Sequence, residues 1–352
     1  MGELAPRWVQ AGHEVIVYCR KPLFKNRCPE WKGVKLAYLP SIEHKVFSTL
    51  SHSFLSVLHA AVNPADITLV WNAANGPFGW ILRLAGKRSV INVDGMEWLR
   101  PKWQGVGKLY FKWAAKAATR AFPLVITDAN EMKRLYLKEF GVETTYIAYG
   151  ANIEPSENPG VLEQYGLQRR EYYLIASRLV PDNNADLVVK AFVASGSPKT
   201  LAVAGGASYK GNSKERSFIE SLQTAANARV RFLGHIDNPD HIKELHHHCY
   251  AYIHGHQYGG INPSLLKALG YSNCVLALDT PFNSEVLNKG HYGLLFKKDV
   301  ADLQAKIECL EKHPELAEKF RQMATEPIYE RFNWDLIAQQ YIDLFSNVNG
   351  SC

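Results

Sequence analysis

Three short stretches of the 352-residue chain gather residue types able to hold a phosphate or a sugar. The first is His254-Gly-His256-Gln-Tyr-Gly259-Gly260-Ile-Asn262-Pro263-Ser264-Leu-Leu-Lys267, which leaves a β-branched run and enters an amphipathic one. Gly259 and Gly260 let the backbone come close to an anion, Asn262 or Ser264 can cap the helix, and Pro263 suits its first turn. Free N–H groups at such a helix start would bind a diphosphate, although a tight strand-to-helix turn without a ligand uses the same residues. The second stretch, Ser177-Arg178-Leu-Val-Pro181-Asp-Asn183-Asn184, directly follows the apolar run Tyr172–Ala176. There the forked guanidinium of Arg178 would clamp a diphosphate through two parallel hydrogen bonds, or else form a surface salt bridge. The third is Asn92-Val-Asp94-Gly95-Met-Glu97-Trp98-Leu-Arg100-Pro-Lys102-Trp103. Asp94 would orient a sugar hydroxyl, steady positive charge developing on an anomeric carbon, or cap a helix. Trp98 and Trp103 would stack on sugar faces or lie in the core.

Other candidates carry less. His246-His247-His248 falls on an amphipathic run, and consecutive helical residues point in different directions, so the triplet does not make a three-ligand metal site. No metal is expected. The six cysteines, at 19, 28, 249, 274, 309 and 352, show neither CxxC pairing nor dense spacing and read as reduced.

These stretches need elements to position them. Short β-branched runs alternate with amphipathic segments along the chain, the pattern of parallel sheets covered by helices. In the first half the expected strands are His13–Tyr18, Val34–Leu39, Ile67–Trp71, Ser89–Val93, Leu124–Thr127 and Thr145–Ala148, with helices at Phe47–Val62, Lys102–Ala121 and Asn130–Phe140. In the second half strands are expected at Tyr172–Ala176, Leu201–Ala204, Val230–Leu233, Tyr250–His254, Cys274–Ala277 and Gly293–Phe296. Their helices are Ala185–Ala194, Lys214–Asn227, Pro239–His248 and Pro263–Tyr271. Asn152–Arg170, with Pro155, Pro159, Gly160 and Gly166, reads as a linker. The expectation is an α/β chain of two Rossmann-like, doubly wound domains facing each other across a cleft, with ligand at the carboxyl ends of the strands. Residues 1–150 form the first, 151–332 the second, and 333–352 a helix packing back towards the first; the helical tail Val300–Phe345 carries aromatic anchors at Phe332, Trp334, Tyr341 and Phe345. Gly2–Ala11 reads as the end of a helix before a Gly12-His13 stop, so the first central strand and its glycine-rich loop are expected to be missing, leaving neighbouring strands unpaired.

Charge is uneven within the formal net of +6: residues 1–150 hold 20 Lys and Arg against 11 Asp and Glu, and residues 151–352 hold 20 against 23. A basic half suits phosphates or peripheral contact with an anionic membrane face. Nucleic acid is not expected, because no recognition-helix, RNP or zinc-finger signature accompanies the charge. With neither a membrane-spanning run nor a secretion signal, the expected location is cytoplasmic, at most peripheral at the inner membrane face.

The three stretches resemble glycosyltransferase family 4, and within it the bacterial rhamnosyltransferases of cell-surface polysaccharide synthesis. Members carry Asn-Val-Asp-Gly-x-Glu-Trp in the first domain and His-Gly-His…Gly-Gly-Thr-Asn-Pro-Ser-Leu-Leu-Glu in the second. Similarity extends over nearly the whole chain, including Gly2–Cys19, Tyr149-Gly150-Ala151 and Tyr292-Gly-Leu-Leu-Phe296. The resemblance implies a GT-B fold and a metal-independent, retaining transfer with no cofactor. It also implies a nucleotide-sugar donor, dTDP-rhamnose for the nearest group, and a saccharide or lipid-linked acceptor. It assigns Asp94 and Glu97 to catalysis, and Arg178, Asn183, Gly259, Gly260, Asn262, Pro263, Ser264 and Lys267 to the donor. Three positions depart from the family: its lysine five residues after the arginine is Asn183 here, and its Glu-x7-Glu pattern falls on Gly259, where the rhamnosyltransferase group already tends to differ, and on Lys267, where that group keeps Glu. Lys267 cannot accept a hydrogen bond, so a contact to the nucleotide's sugar is lost, unless Lys267 serves as the missing cation. A catalytically impaired nucleotide-sugar-binding or scaffold homologue in a polysaccharide assembly complex is the alternative function.

Overall fold

Strands that are apolar on both faces belong in the middle of parallel sheets, and helices with one apolar face cover them. The computed structural model, which describes residues 1–44, 47–100, 103–206 and 213–350, is built this way. Its first half runs α1 (Leu4–Gln10), β1 (Ile16–Arg20), β2 (Glu30–Trp31), β3 (Val34–Leu39), α2 (Phe47–Val62), β4 (Thr68–Trp71), α3 (Gly79–Leu84), β5 (Ser89–Asn92), α4 (Val106–Ala121), β6 (Leu124–Thr127), α5 (Asn130–Phe140) and β7 (Thr145–Tyr146). The second half continues with α6 (Val161–Gln164), β8 (Tyr172–Ala176), α7 (Ala185–Ser195), β9 (Thr200–Ala204), α8 (Ser213–Ala225), β10 (Val230–Gly234), α9 (Pro239–His248), β11 (Ala251–His254), α10 (Pro263–Gly270), β12 (Val275–Leu278), α11 (Pro281–Val286), β13 (Leu294–Phe296), α12 (Val300–Lys312), α13 (Pro314–Met323) and α14 (Glu326–Glu330). The last helix is α15 (Trp334–Gly350). Met1–Tyr149 with the segment from Trp334 forms one unit, and Gly150–Asn333 forms the other.

The first unit holds two sheets, ordered β1-β3-β2 and β4-β5-β6-β7. Among the described residues β1 pairs with β3 alone and β4 with β5 alone, so each keeps one edge unpaired. β2 runs antiparallel to β3 and was not expected; Lys32 (φ +49°) and Gly33 (φ +79°) make the two-residue turn whose twist suits a hairpin. β1 begins at Ile16 rather than His13, because Gly12 (φ +90°) closes α1 and the His13 N–H donates to Trp8 O. Helix α4 begins at Val106, after Gly105 (φ +53°), rather than at Lys102, which lies outside the described residues. Helix α15 packs on α1 in this unit. The Trp8 ring meets Tyr341 and Phe345 edge-on at 5.6 and 5.7 Å, and its Nε1–H donates to Ala338 O.

The second unit has one six-stranded parallel sheet, ordered β10-β9-β8-β11-β12-β13. From β8 the chain winds outward through β9 to β10, then α9 carries it back to the other side of β8. The order therefore reverses between β8 and β11, which is where doubly wound sheets open a crevice beyond their strand ends. Tyr173, Ile175, Val188, Phe192, Ile253, Leu276, Phe296 and Ile307 are among the buried side chains of its core. The segment read as a linker is packed rather than free. Val161 and Leu162 are buried, and the buried Glu244 carboxylate accepts the N–H groups of Glu157 and Asn158 and the Ser156 hydroxyl (2.8, 3.1 and 2.6 Å).

Candidate active site

The two loops that leave the switch point of the second unit are tied together. After β8 comes Ser177-Arg178 and a 3-10 turn at Pro181–Asn183; after β11 comes 255–262. Asn184, buried and left-handed (φ +52°), donates Nδ2–H to Gly255 O at 2.8 Å, and the Gln257 N–H donates to Asp182 O at 3.2 Å. Gly255 is required because a Cβ there would overlap the Asn183 carbonyl oxygen. Asn283 braces the second loop from α11, donating to His256 O (3.1 Å) and Leu278 O (2.8 Å).

The second loop exposes donors. Asn262 is the N-cap of α10, its Oδ1 accepting the Ser264 N–H at 2.9 Å, and Pro263 brings no N–H. The backbone N–H groups of Gly259, Gly260, Ile261 and Asn262 have no acceptor among the described residues, and they stand ahead of the positive end of a helix, with Gly259, Gly260 and Asn262 partly exposed and Ile261 buried. Gly259 has φ +125°, a conformation that side-chain-bearing residues rarely adopt. Arg178 is exposed and its guanidinium has no partner among the described residues. Asn183 does not extend this set of donors: it is buried and spends Nδ2–H on Arg178 O at 2.7 Å, fixing the turn that carries the arginine. Lys267 is exposed one turn into α10, on the same side as Pro263 and Ser264, and Lys298 Nζ reaches Gln257 Oε1 at 2.7 Å.

In the first unit Asp94 follows β5 in a left-handed conformation (φ +55°), its N–H held by Asn92 Oδ1 (3.0 Å) and its carboxylate receiving the Tyr149 hydroxyl (3.3 Å). Burial and then the nearby Glu97 push its carboxyl above the usual range, against the pull of the Gly95 N–H, Tyr149 and Arg100. Glu97 is held by Arg100 (3.0 Å) and by Trp103 Nε1–H (2.7 Å), so it braces its own loop. Trp98 is not a stacking platform: it is buried edge-on to Tyr136 and Phe140, while Trp103 lies over Phe111 at 4.7 Å.

Residues 162–326 match the family described as glycosyl transferases group 1, and residues 67–152 match a domain of unknown function, DUF1972. The alpha-maltose-1-phosphate synthase of Mycolicibacterium smegmatis is 24% identical over 323 residues, covering 81% of this chain and 82% of that protein. Among solved structures, sucrose-phosphate synthase from Thermosynechococcus elongatus superposes with a TM-score of 0.83 at 19% identity, over 99% of this chain and 92% of that one. HepE of Anabaena, solved in complex with UDP, gives 0.77 at 17% identity, over 98% and 94%. The chain is a glycosyltransferase of the GT-B type.

In this glycosyltransferase the elements that hold the loops together, Gly255, Asn283 and Lys298, were not singled out by sequence reasoning. Their partners in the two loops lie 27 to 71 residues away, so no local spacing announces them. The histidine triplet divides among separate partners: His246 faces Asn273 Oδ1 (3.2 Å), His247 Glu154 O (2.7 Å), and His248 both Ser156 and Glu244. Burial lowers His246 to about 4, so it is neutral at physiological pH. Among the described residues no group of three or more His, Cys, Asp or Glu could hold a metal ion, and no helix is long and apolar enough to cross a membrane.

Proposed function

We propose that this glycosyltransferase takes a hexosyl group, rhamnosyl from dTDP-rhamnose, from a nucleotide-sugar held by the second unit and passes it with retention to a saccharide or lipid-linked acceptor in polysaccharide biosynthesis. The observation that carries the donor assignment is the run of backbone N–H groups at 259–262 without an acceptor among the described residues, on a loop tied through Gly255 and Gln257 to the one that carries Arg178, at one switch point. A nucleoside diphosphate leaving group gathers negative charge as the glycosidic bond breaks, and preformed donors aimed at it stabilise that charge more than the ground state. Cation and helix end supply this without a metal. Lys267 and Lys298 are the candidates for a second cation, since Asn183 supplies none. Retention follows if the departing phosphate takes the acceptor's proton on the same sugar face. Asp94, with its raised carboxyl and Tyr149 partner, is assigned to orient the acceptor or steady the anomeric carbon, and Glu97 to hold the loop that carries Asp94. HepE, solved with UDP, shares the fold and supports the donor class by analogy.

The test is a donor panel (dTDP-rhamnose, UDP-glucose, UDP-N-acetylglucosamine) read by thermal shift and by nucleoside diphosphate release, with NMR of the product's anomeric configuration. Turnover of dTDP-rhamnose with retention supports the reading. Turnover of another donor alone overturns the sugar assignment, an inverted product overturns the mechanism, and nucleotide binding with no turnover favours the impaired homologue that Asn183 and Lys267 suggested.

A further inference from the structure

Helix α4 presents an apolar surface where a water-facing helix normally carries none. Val106, Leu109 and Trp113, spaced i, i+3 and i+7, are 83%, 70% and 57% exposed. Their spacing places them on one stripe, and Lys108, Lys112, Lys116 and Arg120, four residues apart, form a cationic row beside it. Between Glu97 and Asp128 the chain has six Lys and Arg and no acidic residue. The opposite face is fixed: Ala114, Ala115, Ala117, Ala118 and Ala121 are buried, Gly76 lies so close that a Cβ would overlap Ala114 O, and the Tyr110 hydroxyl donates to Ala74 O at 2.9 Å. The helix cannot roll to hide its stripe without breaking these contacts. Of these cations only Lys112 has an acidic partner among the described residues, Glu139 at 2.9 Å. Next to α4, helix α3 adds Trp80 (43% exposed) and Leu84 (88%), and its Arg83 donates to Arg120 O while its guanidinium lies 5.2 Å from the Trp80 ring centroid.

We infer that the exposed face of α4 docks on an anionic lipid bilayer, with Leu109 and Trp113 entering the headgroup boundary and Lys108, Lys116 and Arg120 meeting lipid phosphates. Charge complementarity selects this occupant. An apolar stripe alone would suit another protein, whereas an apolar stripe that includes a tryptophan, is edged by cations and is free of acidic residues is the composition of a helix lying in a membrane interface. Each cation near such a surface strengthens binding about fivefold, and salt weakens it. Placement at a membrane would bring the enzyme to a lipid-linked acceptor, yet the inference stands on α4 alone and does not depend on which donor is used.

The whole chain is sedimented with vesicles of phosphatidylcholine alone and of phosphatidylcholine with one third phosphatidylglycerol, at low and high salt. Binding to the anionic vesicles only, weakened by salt, is expected. The pair Lys108→Ala and Lys116→Ala should lower the partition coefficient by about 25-fold, and Leu109→Ser with Trp113→Ala by more than about tenfold. Removing the exposed second-unit cations Lys190 and Lys319 should leave it unchanged. All four α4 positions are exposed, so folding is checked by unchanged thermal unfolding and nucleotide binding. No binding to anionic vesicles, binding indifferent to the α4 variants, or a concentration-dependent dimer abolished by Trp113→Ala would overturn the inference.

Discussion

Replacing Arg178 by alanine should weaken nucleoside diphosphate binding with almost no effect on folding. Arg178 is exposed and its guanidinium pairs with no described residue, so deleting it removes no intramolecular hydrogen bond or ion pair among them. Changes at such positions alter stability by less than about 0.5 kcal/mol. What is lost is one forked, charge-assisted contact to the diphosphate, worth about 1.5–3 kcal/mol, or roughly 10- to 150-fold in Kd. Arg178→Lys keeps the charge without the fork and should lie between the two. Isothermal titration with dTDP, with UDP and with the corresponding monophosphates measures this. The loss should be larger for the diphosphates, because the monophosphates lack the group being clamped. Unchanged diphosphate affinity in Arg178→Ala, or an equal loss of affinity and unfolding temperature, would refute the reasoning.

Other consequences follow from the same geometry. Gly255→Ala places a Cβ against the Asn183 carbonyl and should destabilise the chain by about 1–3 kcal/mol while lowering nucleotide affinity, because it separates the two loops; urea unfolding and titration read both effects. Burial raises the Glu244 carboxyl, but Ser156, the N–H groups of Glu157 and Asn158, and His248 outweigh it and hold the group at about 2 against an ordinary 4.5. A carboxyl depressed on folding adds stability above its unfolded pKa and loses it as pH falls. Unfolding free energy should therefore drop by about 3 kcal/mol between pH 4.5 and 2, and Glu244→Gln should flatten that slope. Asp94 is shifted the other way, so its ionised form costs stability at neutral pH, and the cost is relieved as pH falls towards its folded pKa. Asp94→Asn, which tolerates the left-handed backbone, should raise the melting temperature at pH 7 while lowering turnover; a lower melting temperature would contradict the assignment. Amides of β1 and β4, each with an unpaired edge, should exchange with deuterium faster than those of β8 and β11, which have partners on both sides.

Much of this fold can be read in the sequence because its elements are strongly periodic. Phe47–Val62, Leu124–Thr127, Asn130–Phe140, Tyr172–Ala176 and Pro239–His248 fall at the residues the pattern indicates. The differences arise where backbone conformation decides rather than hydrophobic period. The Lys32-Gly33 hairpin, the stop after Gly12 and the late start of α4 after Gly105 all depend on positive φ. At the candidate site, the place of Arg178 just after β8 and of the glycines just before α10 was legible because strand, turn and helix follow one another within a dozen residues. Asn184 stood in the quoted stretch, yet its bond to Gly255, 71 residues on, was not legible. Nor was the exchange of roles at Asn183, whose side chain turns inward to the Arg178 carbonyl instead of outward to a ligand. Side-chain direction at such turns is set by tertiary contacts that composition and spacing do not encode.

The central claim is that the diphosphate of a nucleotide-sugar rests on the backbone N–H groups of 259–262 and on Arg178. A crystal structure of the chain with dTDP tests it directly. The account predicts phosphate oxygens at about 2.7–3.2 Å from those backbone nitrogens and from the Arg178 guanidinium. A diphosphate bound away from the carboxyl ends of β8 and β11, or touching neither group, would contradict it.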